Sequence, residues 1–185
     1  MATVARDSFA VLFLDLQDEI VKHSRTVTVE RLHQVAGVLA KLASLHGLPA
    51  FVSGVPPGGA YLASVLEPLG KPEPRLRKQT TAFGDRGLVD ALASTGRRTL
   101  VLAGVASEIV VQHTALDALA AGYAVHVAVD ACGGADPRTE DAAWRRIVAA
   151  GGVTSSVTAL AAELTGDFTT EQGAATLGLA YETLG

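Results

Sequence analysis

The sequence holds a single cysteine, Cys132, in 185 residues. One thiol excludes a disulfide framework within the chain and excludes a thiolate metal cluster. Basic runs are missing too: the densest stretch is Arg75, Arg77 and Lys78, and the formal net charge is −4. That balance excludes a nucleic-acid partner as the working expectation. The five histidines form no His-x-x-x-His pair, so no metal site is expected. Neither GxGxxG nor GxxxxGK[ST] occurs, so a nucleotide cofactor would lack its usual phosphate cradle, and no cofactor is expected. No apolar run reaches the length of a membrane span. The opening stretch, residues 1–15, is too short in apolar residues for a signal peptide or a span, which predicts a cytoplasmic protein by default.

What is present is apolar. Hydrophobic residues make up 49% and charged residues 18%. The length predicts one domain over 1–185, and the composition fits either a large core or a core plus apolar contacts between subunits. A homo-oligomer is expected. Strand-length apolar runs at 9–16, 49–54, 98–104 and 123–130 are joined by a weaker run at 152–157 and a polar one at 74–79. Near-continuous apolar strands alternating with helices predict a parallel sheet covered on both faces, an α/β fold.

Helix signals fill the gaps. Thr28 is placed to cap a helix to about His46, with Gly47 in the C′ position. Asp136-Pro137 opens a helix through Ala150. Ser107 is read as the N-cap of a helix that Gly122 ends, and a further short helix covers 158–164. The loop at 54–61 is the most turn-like stretch. The tail, 168–185, has weak helical character and is expected as a C-terminal extension packing on a neighbouring subunit.

In open parallel sheets, ligands bind beyond the carboxyl ends of the strands. Asp15, Lys78, Ser107, Glu108 and Asp130 all fall there on this reading. An acid and a lysine converging on one crevice form a proton-transfer pair or hold an anionic substrate. Each residue also has a plainer role: Asp15 as a strand-end cap, Asp130 as structure, Lys78 as an exposed charge, Ser107 as a helix cap. Cys132 reads as a buried or loop thiol rather than a nucleophile.

Three segments together resemble the isochorismatase-like hydrolase superfamily, which includes isochorismatases, nicotinamidases and carbamoyl-amide hydrolases. They are LFLDLQ at 12–17, RKQTTAFGDRGLVDAL at 77–92 and LVLAGVASEIVVQHTALDALAAGYAVHVAVDAC at 100–132. The resemblance implies a three-layer α/β/α sandwich, Rossmann-like, with a mostly parallel six-stranded sheet in the order 3-2-1-4-5-6. It implies Asp15 as the catalytic acid and Lys78 as its partner. It implies a substrate-binding and oxyanion turn at Val105 and Ala106, often cis before the third residue, with Gln17 and Phe83 nearby.

Where the family pattern carries a nucleophilic cysteine, six positions after Gly104, this chain has Val110. Valine has no lone pair, so the thioester route to amide hydrolysis is closed. The histidines of the nicotinamidase-type metal site are also missing around 53–60. Two functions follow. One is a hydrolase of a small molecule that needs no cysteine, as for a vinyl ether, where an acid protonates carbon and water follows. The other is a non-catalytic pseudoenzyme that retains a ligand pocket or an assembly role. Ser107 is a poor substitute nucleophile, one helical turn away and with no evident base except Glu108 or Asp15.

Overall fold

The structure, a computed structural model, describes residues 8–184. Residues 1–7, part of the stretch read as lacking a leader, and Gly185 of the tail lie outside it. Six strands form one sheet: β1 (Phe9–Leu14), β2 (Ala50–Gly54), β3 (Arg75–Leu76), β4 (Thr99–Val105), β5 (Ala124–Gly133) and β6 (Val153–Ser155). Their order is β3-β2-β1-β4-β5-β6 and every pairing is parallel. The order implied by the family resemblance is therefore the one observed.

Both faces of the sheet are covered. Helices α2 (Val29–Leu45), α7 (Val157–Thr165) and α8 (Glu171–Glu182) lie on one side, and α4 (Arg86–Ser94), α5 (Gln112–Ala120) and α6 (Pro137–Ala149) on the other; α1 (Asp18–Val21) and α3 (Ala63–Leu66) are single turns near the loops. The period-two alternation of a strand sorts the core into two layers. Val11, Phe13, Val101 and Ala103 pack with Val35, Leu39, Leu42 and Leu160. Leu12, Leu14, Leu100 and Leu102 pack with Leu88, Leu92, Ala115 and Ile147. Because the central strands are buried on both faces, their sequences read as unbroken apolar runs.

Local signals set the ends of the elements. The Thr28 side chain accepts from Arg31 N, and Gly47 takes φ 60° just past α2. Asp136 accepts from Arg138 N ahead of Pro137. Four expectations shift. The first strand stops at Leu14, because Asp15 turns into the left-handed region at φ 53°, a conformation aspartate tolerates better than most residues. Strand β5 continues to Gly133, so Cys132 is a buried strand residue rather than a loop thiol. Ser107 does not cap; it opens a wide π-helical turn, Ser107–Val111, that precedes α5. The tail forms a full helix, α8, and its inner face packs on α2 and α7 of its own chain through Arg31 to the Thr183 carbonyl (2.6 Å) and Gln34 to the Glu182 carbonyl (2.6 Å).

Candidate active site

The sheet order changes direction between β1 and β4, and both strands end at the same edge. Asp15 follows β1, and the cis peptide Val105-Ala106 follows β4. The two strands come so close that a Cβ on Gly104 would lie 2.2 Å from the Leu14 carbonyl oxygen. This approach brings the turn after β4 beside Asp15. The π-helical turn then widens the start of α5, with both Ile109 N and Val111 N donating to the Ala106 carbonyl (3.2 and 3.4 Å). Such turns are rare and recur at functional sites.

Between these elements lies a cavity of about 300 Å³, lined by Asp15, Ile20, His23, Val105, Ala106, Ile109, Val110, Gly134 and Ala135. Its walls are apolar apart from Asp15 and the rim residue His23. The rim is cross-tied. Glu108 Oε1 accepts from Ala135 N (3.0 Å) and from Thr139 Oγ1 (2.7 Å). Gly134 N donates to Thr26 Oγ1 (2.8 Å), and the Gly134 carbonyl accepts from Arg25 N (2.8 Å). These bonds hold the segments around residues 25 and 134 against the turn, so the cavity is preformed.

Asp15 is 6% exposed. Both of its carboxylate oxygens are held by Arg77: Nη1 donates to Oδ1 at 2.5 Å and Nη2 to Oδ2 at 2.7 Å. Arg77 Nη1 also donates to Ser53 Oγ at 3.2 Å. Paired donation from a planar guanidinium is among the stronger charge-assisted contacts in proteins. Burial pushes the Asp15 carboxyl above its ordinary value, and the hydrogen bonds and charge of Arg77 hold it partly back.

Lys78, expected as the partner of Asp15, is instead exposed, with its backbone N–H donating to Gln79 Oε1. The reason is register. Arg77 N donates to the Gly54 carbonyl and continues the β2–β3 ladder, and side chains alternate sides along a strand. Arg77 therefore turns inward and its neighbour turns out. The adjacent basic residues of Arg75–Lys78 were the available signal, but choosing between them requires the register of β3 on β2.

Val105, Ala106 and Val110 come together with Asp15 as expected. Gln17 and Phe83 do not join them. Gln17 accepts from Val55 N (2.8 Å) and donates to the carbonyls of Val55 (3.1 Å) and Gly59 (3.2 Å). It pins the loop that holds the cis Pro56-Pro57 bond, a role its polarity allowed but its position in the motif did not reveal. Phe83 makes an edge-on ring contact with Tyr123 (5.9 Å between centroids) in the layer beneath α4 and α5. Asp130 is structural: its Oδ1 accepts from Val157 N at the start of α7. Ser107 is fully buried and donates to Glu140 Oε1 at 2.7 Å, outside the cavity lining. Cys132 is also fully buried, and burial pushes its thiol far up. Neither residue is placed to replace a nucleophile at position 110. Ile20 enters the lining from the single turn α1, and His23, Gly134 and Ala135 from loops, with no motif to announce them.

Among the described residues, no three His, Cys, Asp or Glu side chains cluster as a metal site requires. No described helix is long and apolar enough to cross a membrane. The isochorismatase-domain family model matches residues 9–159. Probable hydrolase YcaC of Escherichia coli (strain K12) is 28% identical over 185 residues, covering 93% of this chain and 85% of that protein. YcaC from Pseudomonas aeruginosa, solved with hexane-2,5-diol and covalent acrylamide, superposes with a TM-score of 0.88 at 28% identity, over 96% of this chain and 91% of that one. The Escherichia coli YcaC crystal structure, described as an octameric hydrolase of unknown specificity, superposes with a TM-score of 0.91 over 99% of this chain and 91% of that one, at 24% identity.

Proposed function

The chain belongs to the isochorismatase family, and from that premise we propose that it is a hydrolase of a small molecule that forms no covalent enzyme intermediate. The observation that supports this reading is the buried carboxylate of Asp15 in a preformed cavity whose nucleophile position is filled by Val110. Asp15 is the acid–base group. Arg77, rather than Lys78, is the cation that orients it. Relatives described as hydrolases lend the reaction class.

The chemistry follows from what the lining offers. A desolvated carboxyl with a raised pKa is a better proton donor near neutral pH than a solvated one. With a vinyl ether, Asp15 gives its proton to the terminal carbon, and the electrons of the double bond form the new C–H bond. Water adds to the resulting oxocarbenium ion and returns a proton to Asp15. The hemiketal then breaks its C–O bond to release a ketone and an alcohol. Valine at 110 contributes an apolar wall and takes no part in bonding.

The test is a panel of vinyl ethers, amides and carbamoyl compounds. On the substrate that is turned over, Asp15→Asn lowers kcat about 10²–10⁴-fold, since asparagine keeps the shape without the exchangeable proton. Val110→Ala changes binding more than turnover. A wild-type chain that binds a small molecule here, turns over no member of the panel and binds equally well as Asp15→Asn overturns the reading.

That outcome would support a ligand-binding protein without turnover, a reading favoured by one specific feature. Arg77 engages both oxygens of Asp15, and a guanidinium cannot give up its proton in the physiological range. The same proposal has the chain self-associate. Its support is the apolar composition and the octameric state described for the Escherichia coli relative.

A further inference from the structure

The cavity beside Asp15 is lined without a lysine or an arginine. Two basic residues just past β3 could supply one, and neither reaches it. Arg77 commits both Nη groups to the Asp15 carboxylate, and its Nη1 also donates to Ser53 Oγ. Its side chain is 1% exposed and stands outside the lining. Lys78 is turned to solvent. Lys22 and Arg25 flank the rim residue His23 in the chain. Lys22 is paired with Glu19 at 2.6 Å. Arg25 meets the rim through its backbone N–H, and its exposed side chain is not part of the lining. Among the described residues, His23 is therefore the one basic side chain that lines the cavity.

Negative charge is closer at hand. A Cβ on the rim residue Gly134 would lie 2.9 Å from Glu108 Oε1 and 3.0 Å from Glu140 Cδ. The donors that hold these two side chains, Ala135 N, Thr139 Oγ1 and Ser107 Oγ, carry no charge. Asp15 and Arg77 offset one another as a pair. The uncompensated charge beside the cavity is therefore acidic. Its walls are Ile20, Val105, Ile109 and Val110 around a volume of about 300 Å³, at the small end of ligand pockets. A carboxylate or phosphate that entered would lose water that these walls cannot replace. It would meet no ammonium or guanidinium group and would stand close to two like charges.

We infer that this cavity takes a compact, uncharged and largely apolar molecule and turns away carboxylates and phosphates of the same shape. The inference rests on the reading of Asp15 as the acid–base group and names the substrate class of that site: among vinyl ethers, those that carry no acidic group. The same charge distribution suits the chemistry. Protonation of the terminal carbon leaves a cationic oxocarbenium ion, and acidic side chains already in place favour a developing positive charge.

The experiment uses a matched pair of vinyl ethers. 2-Methoxypropene and 2-methoxyacrylate differ only in a methyl group against a carboxylate. The chain has three isoleucines, Ile20, Ile109 and Ile147. Two line the cavity and Ile147 is fully buried in the layer beneath α4 and α5, so methyl-labelled isoleucine reports binding with an internal control. In mildly alkaline buffer, 2-methoxypropene moves the Ile20 and Ile109 signals and leaves Ile147 still. Its Kd is lower than that of 2-methoxyacrylate by about tenfold or more, and methanol release gives kcat/KM in the same order. His23→Gln keeps the preference. Ile109→Arg reverses it, read at Ile20, because position 109 is 55% exposed and a guanidinium there can line the cavity while its head stays in water.

A wild type that binds 2-methoxyacrylate as tightly as 2-methoxypropene, or that binds neither, overturns the inference. So does an Ile109→Arg chain that keeps the wild-type Ile147 signal and still prefers the uncharged probe, and so does a preference that vanishes in His23→Gln. The hydrolase reading fails separately. A wild type that binds 2-methoxypropene with this preference, releases methanol from neither probe and binds equally well as Asp15→Asn removes the reaction and supports the ligand class. A wild type that turns over 2-methoxyacrylate the faster supports the reaction and overturns the ligand class.

Discussion

At the scale of single residues, the site turns on a pair. Arg77 and Asp15 are both nearly inaccessible, and each makes the burial of the other tolerable. Removing one partner is the expensive event. Arg77→Ala should cost about 3–5 kcal/mol in urea denaturation, because it leaves a carboxylate buried without its cation. Arg77→Lys should recover only part of that loss, since an ammonium is a single point donor and cannot match both oxygens. Lys78→Ala, one residue further on, should stay within about 0.5 kcal/mol of wild type, as exposed substitutions do. The same three variants read the function. Loss of activity with Lys78→Ala but not with Arg77→Lys would show that the ion pair seen here is not the working one.

At the scale of elements, local chemistry explains most boundaries. Helix α6 begins where the Asp136 side chain accepts from Arg138 N at 2.9 Å and Pro137 sets φ for the first turn. Asp136→Ala should cost about 1 kcal/mol and lower Tm by roughly 2–4 °C for a domain of this size, measured by differential scanning calorimetry. The caps at Thr28 and Asp136 were legible in the sequence because they act within three residues. So was the sheet, because strands buried on both faces spell themselves as runs such as Phe9–Leu14. Asp15 was legible as the residue that ends such a run. Its partner was not, since Arg77 and Lys78 differ by one step of a two-residue alternation that only the ladder bond to Gly54 decides. Gln17 and Phe83 were misplaced for a similar reason: adjacency in a motif says nothing of which side of the backbone a side chain takes.

At the scale of the whole molecule, the response to acid should be set by a few buried and half-buried groups with opposite signs. His126, on β5, packs edge-on against Phe9 at 5.9 Å, and its Nδ1 is buried with no hydrogen-bond partner. Burial lowers its pKa below 6.5, and the negative charge of Glu163 on α7 opposes the shift. For a histidine with a lowered folded value, the stabilising contribution is present above the unfolded pKa and is lost as pH falls through the folded one. Asp15 and Asp130 act the other way. Burial raises both, so the stability they contribute is present below the unfolded value of 3.8 and is lost as pH rises through their folded values. As pH falls below neutral, His126 lowers the stability while the two raised carboxyls oppose that fall. The urea midpoint of the wild type should fall as pH drops below 6.5, and His126→Gln should flatten that limb, since glutamine cannot take up the proton. Glu163→Gln should steepen it by removing the charge that eases protonation of the imidazole. If the His126→Gln midpoint falls with pH as fast as that of wild type, the acid sensitivity arises elsewhere and the half-buried imidazole is not its source.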